Sequence, residues 1–119
     1  MNSGFVSHIV AVVRFTTNVA GDYKKYITRV INGAPKLSQK EDEECNIEFE
    51  IFEDKQFDDV NGRTYIIVTH GDIRGINKKE LRKRYDNLLD YLSSTQGGCF
   101  YILSRASTIT DNDRSESRH

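Results

Sequence analysis

Apolar residues recur along this chain with two different periods, and the switches between them predict six elements. Residues 6–16 (Val-Ser-His-Ile-Val-Ala-Val-Val-Arg-Phe-Thr) are rich in β-branched side chains and predict a strand buried on both faces. Tyr23, Tyr26, Ile27, Val30 and Ile31 follow at i, i+3, i+4, i+7 and i+8, one face of a helix that Asp22 is placed to cap. Asn32-Gly33 supplies its stop, and Pro35 forbids continuation. Residues 34–45 predict a polar, acidic and mobile loop. Over 46–53, Ile47, Phe49 and Ile51 alternate with Asn46, Glu48 and Glu50, the pattern of a strand with one wet face.

A turn at Asn61-Gly62 leads to Tyr65-Ile66-Ile67-Val68-Thr69-His70, which predicts a second doubly buried strand. A second helix opens at Asn77, with Glu80 in the capping-box position. Its stripe is Leu81, Tyr85, Leu88, Leu89 and Leu92, and Gly97-Gly98 ends it. Residues 99–103 predict the last strand. From Ser104 the composition turns polar. The division expected is one domain over 1–106 and a disordered tail over 107–119.

The order βαββαβ predicts an α+β fold, the ferredoxin-like plait: a four-stranded antiparallel sheet, ordered 4-1-3-2, with two helices on one face. That order centres the two most continuously apolar strands. It also makes the glutamate-bearing strand an edge, where charge discourages unwanted pairing. At 119 residues and 37% hydrophobic content the chain suffices for one two-layer core. The longest apolar run is strand-sized, and no secretory signal is recognisable, so a cytoplasmic protein without membrane contact is expected. Cys45 and Cys99 form no Cys-x-x-Cys pair and predict free thiols.

Charge changes the picture more than composition does. The formal total is −1, yet residues 41–59 hold ten acids and one lysine, a balance of −9. Residues 74–84 hold six bases and one acid, a balance of +5. Two opposed poles predict steering of a charged partner. One candidate contact is acidic: Glu41, Asp42, Glu43 and Glu44, continuing onto the wet face through Glu48 and Glu50, as an imitation of a phosphate backbone. Edge protection accounts for Glu48 and Glu50 but not for four consecutive acids. The other candidate is basic: Arg74, Lys78, Lys79, Arg82 and Lys83. Lys78 and Lys79 sit in a first helical turn, where positive charge opposes the macrodipole.

No phosphate-binding glycine loop, serine–histidine–acid arrangement or zinc spacing occurs, and neither cofactor nor metal is expected. The plait brings the start of strand 1 near the end of strand 3, so His8, His70, Asp72 and Tyr85 are the parts of a metal-dependent strand-nicking site. The His-x-His pairing such chemistry uses is missing, because Val68 precedes His70 by two. Gly62-Arg63-Thr64-Tyr65 is similar to the start of a strand-3 motif of RNA-recognition modules. Those need aromatics on the open faces of strands 1 and 3, where only Phe15 and Tyr65 are candidates.

Residues 4–34, with Gly-Phe-Val-Ser-His-Ile, Arg-Phe-Thr-Thr-Asn and Asp-Tyr-Lys-Lys-Tyr-Ile-Thr-Arg-Val, resemble the opening of conjugative relaxases from Gram-positive mobile elements. Those begin with a strand ending in basic-Phe and a helix carrying Tyr-x-x-Tyr. The resemblance implies an origin on a plasmid, phage or integrated element rather than a reaction.

The reading that results leans away from an enzyme. It is a small regulatory or inhibitory binding protein whose charged surfaces meet a macromolecule. The acidic surface would take a protein partner with a basic surface; the alternative is direct nucleic-acid binding by the basic helix.

Overall fold

The computed structural model describes residues 4–19, 21–57, 62–94 and 100–119. The strands are β1 (Val6–Thr17), β2 (Glu44–Glu53), β3 (Arg63–Arg74), β4 (Tyr101–Thr110) and β5 (Ser115–Arg118), with helices α1 (Tyr23–Gly33) and α2 (Lys78–Ser93) between them. They form a five-stranded antiparallel sheet in the order β2-β3-β1-β4-β5.

Both helices open as their caps dictate. The Asp22 carboxylate accepts the Lys25 N–H at 3.2 Å, and the Asn77 side chain accepts the Glu80 N–H at 2.9 Å. α1 ends at Gly33, with Ala34 extended ahead of Pro35. α2 ends at Ser93, where the Ser94 N–H bonds the Tyr91 carbonyl, earlier than the expected stop at Gly97-Gly98. Those glycines, Cys99 and Asn61 lie outside the described residues.

The helices pack on one face of the sheet. There Ile9, Ala11, Val13 and Phe15 of β1 meet Ile27 and Ile31 of α1 and Leu81, Tyr85, Leu88 and Leu92 of α2, all buried. Val30 and Phe49 are partly buried against that core. Aromatic rings fill one end of it: Phe15 stacks on Phe100 at 4.6 Å between centroids, and Tyr23 on Tyr65 at 5.0 Å.

Four expectations are corrected. β1 and β3 are not buried on both faces: Val10 is 61% and Val12 41% exposed, and burial alternates strictly along most of β1. In an antiparallel sheet a single helix layer covers a single face, and β-branched residues serve the open face for their strand preference alone. The sheet also has five strands rather than four. The boundary expected at 106/107 falls inside β4, and the segment expected to be disordered carries the end of β4 and all of β5. The polar letters after Ser104 are the wet face of a strand, with Ser107 and Ile109 turned to the core. Finally, the loop over 34–43 is pinned, because Ala34, Leu37 and Glu43 are buried.

Gly71 fixes how closely β2 approaches. It faces Ile47 at φ +134°, and a Cβ there would lie 2.1 Å from the Asn46 carbonyl oxygen. Only glycine permits that contact.

Candidate functional site

The two charged stretches of the chain lie side by side in the fold and partly neutralise each other. Arg84 of α2 donates to both Glu43 oxygens, at 2.7 and 2.9 Å, and to the Leu37 carbonyl at 2.7 Å. The Glu43 carboxylate also accepts the Gln39 and Lys40 N–H groups at 2.8 and 3.2 Å. The Arg84 hydrogen bonds hold the Glu43 pKa down to about 2, and Glu43 in turn raises that of Arg84. Glu43 is therefore a buried buttress of the loop leading into β2, set apart from the exposed acids around it. Next to it Glu44 faces Arg74 across the strands, at 3.9 Å. Glu50 meets His70 at 3.0 Å.

The basic set is divided in the same way. Arg74, Lys79 and Lys83 are exposed, whereas Lys78 and Arg82 are buried. The Lys78 N–H donates to the Asp111 carboxylate at 2.9 Å, so the turn between β4 and β5 caps the helix. Arg82 lies under β5, 3.7 Å from Glu116. A positive stripe in the sequence thus becomes three solvent bases and two enclosed ones, with Asp111 of the β4–β5 turn at Lys78 and Glu116 of the unforeseen fifth strand near Arg82.

The remaining acids gather on β2. Glu44, Glu48 and Glu50 share one side of this edge strand with Asn46 and Phe52, and all five are exposed. Glu41 and Asp42 are exposed in the preceding turn. The opposite side of β2 is apolar from Cys45 to Ile51. Cys45, Ile47 and Phe49 line a cavity of about 230 Å³ with Ile31, Leu37 and Leu88. Phe49 and Ile51 line a second one of about 250 Å³ with Thr28 and Lys24 of α1. Among the described residues no strand pairs with the outer edge of β2.

The open face of the sheet carries an apolar band beside those acids. Cross-strand register puts Glu50, Val68, Val12 and Ala106 in one row, and Phe52, Ile66, Arg14 and Ser104 in the next. Leu103 and Tyr101 are also exposed. Period-two alternation alone would have found this band, had the central strands been read as one-faced.

The nicking constellation is not assembled. His8 and Asp72 are cross-strand neighbours on the open face, 3.9 Å apart, and His70 shares that face. Tyr85 lies on the helix side, 2% exposed, and burial pushes its hydroxyl pKa up to about 12. No group of three or more His, Cys, Asp or Glu among the described residues is placed to hold a metal ion. The two aromatics weighed for base stacking, Phe15 and Tyr65, also point into the core. No helix among the described residues is long and apolar enough to cross a membrane. No family model matches the chain, and neither a curated protein nor a solved structure is significantly similar to it.

Proposed function

We propose that this is a small, non-enzymatic binding protein that captures an extended segment of a basic protein partner along β2. Strand addition gives affinity through main-chain hydrogen bonds, and specificity through alternate side chains. The observation that carries the reading is the two-sided chemistry of that edge. Glu44, Glu48 and Glu50, with Asn46 among them, offer acids along one side of an added strand, and the cavities at Ile47, Phe49 and Ile51 take the residues that turn to the other side. The partner segment therefore alternates Lys or Arg with Val, Ile or Leu. In this reading β2-β3-β1-β4 with α1 and α2 is a ferredoxin-like plait, extended by β5, in a cytoplasmic protein of mobile-element origin. Nucleic-acid binding by α2 is less well supported, since Lys78 and Arg82 are enclosed.

Calorimetric titration with an eight-residue Lys–Val alternating peptide tests the proposal. The expected result is saturable binding that falls at least tenfold when Glu44, Glu48 and Glu50 are changed together to Gln. Salt should weaken it mainly through slower association. Equal affinity for the triple variant would refute the assignment.

A further inference from the structure

At the other edge of the sheet, side chains from three elements enclose a small cavity of about 50 Å³. Arg82 and Tyr85 come from α2, Arg105 and Ser107 from β4, and Arg118 from β5. By the same measure a single water needs about 10–15 Å³. The space is that of one tetrahedral oxyanion, and far below the roughly 300 Å³ at which sites for drug-sized ligands begin.

Its lining holds donors without acceptors. Arg82 is 5% exposed; its Nη1 donates to the Ser107 hydroxyl at 2.6 Å, but its Nε and Nη2 are buried with no hydrogen-bond partner. The Tyr85 hydroxyl is buried as well, with the Thr69 hydroxyl as its hydrogen-bonding neighbour. Native interiors rarely leave such groups unpaired, and an ion or water is the usual complement. The nearby acids do not complete the site. Asp86 lies 3.5 Å from Arg118, and Glu116 lies 3.1 Å from Arg118 and 3.7 Å from Arg82, outside hydrogen-bond range of the latter. Arg82, Arg105 and Arg118 outnumber the side-chain carboxylates near the site, Asp86 and Glu116, and His119 also lines it.

We propose that this cavity binds a phosphoryl group, as inorganic phosphate or the phosphate end of a small monoester. The guanidinium fork of Arg82 would donate through Nε and Nη2, Tyr85 through its hydroxyl, and Arg105 and Arg118 would close the rim. Burial pulls the Arg82 pKa down, with the Arg118 charge adding to that effect and Asp86 opposing it; a bound dianion relieves the strain on the buried charge. A ligand here also ties β5 to α2, so occupancy tightens the edge that the sequence left as a tail.

The test is a titration of the full chain with sodium phosphate, followed by 1H–15N NMR at the backbone of Ser107 and Arg118 and at the Arg82 Nε–H. Sodium chloride at matched ionic strength is the reference. Saturable shifts confined to these positions are expected. Arg105→Gln, an exposed position, should weaken binding about tenfold, whereas Lys79→Gln on the outer face of α2 should leave it unchanged. Glycerol phosphate bound as tightly as phosphate identifies a monoester site, and phosphate alone identifies a free-ion site; both support the inference. Shifts that do not saturate, that chloride reproduces, or that Arg105→Gln and Lys79→Gln alter equally would overturn it. None of these outcomes touches β2, so the two proposals fail separately.

Discussion

The two edges of the sheet are built in opposite ways. β2 is ten residues long, acidic on one side and apolar on the other, and its outer backbone is unpaired among the described residues. β5 is four residues long, and its charged side chains turn inward onto α2, where Arg118 meets Asp86 and Glu116 meets Arg82. Short strands and inward charges are usual ways of closing an edge. A fold that closes one edge and leaves the other long and two-sided is the ground on which contact is proposed at the second.

The open edge is most vulnerable at the ion pair that supports it. Glu43→Gln removes one partner of a buried ion pair and should cost about 3–5 kcal/mol in chemical denaturation, with the loop before β2 losing protection first. The same pair fixes an acid dependence. Because the folded pKa of about 2 lies below the ordinary 4.5, its stabilisation is complete above about pH 4.5 and is lost as the pH falls towards 2. The variant should flatten the stability profile in that window and leave neutral-pH slopes unchanged.

A smaller effect is expected from Leu88→Ala, which sits in the core and lines the cavity beside Ile47. It should cost about 2–5 kcal/mol, and a cost below about 0.5 kcal/mol would contradict the packing described. At the closed edge, Arg118→Ala removes two ion pairs of a half-exposed side chain and should cost under about 1 kcal/mol. A loss comparable to that of Glu43→Gln would make the two edges equivalent and undo the contrast.

Much of this architecture was legible in the residues. Asp22 and Asn77 announced both helices, and alternation at Ile47, Phe49 and Ile51 announced β2 with its wet side. Val10 and Val12 misled because β-branched residues favour strands whether or not anything covers them. Ser104 to Thr110 misled because a solvated strand has the composition of a loop; Ser107 and Ile109, two apart, were the available sign. The acidic run could not be apportioned from sequence. Glu43 and Glu44 are adjacent letters, but one points to Arg84 in the interior and its neighbour to solvent, a difference set by the reach of α2.

Pairing of β2 with a partner strand is read most directly by hydrogen exchange of the full chain, with and without the Lys–Val peptide. Amides of Glu44–Glu53 that point away from β3 should slow at least tenfold on binding, while those of β5 stay unchanged. Protection on the open sheet face or at β5, with β2 exchanging at its free rate, would contradict it.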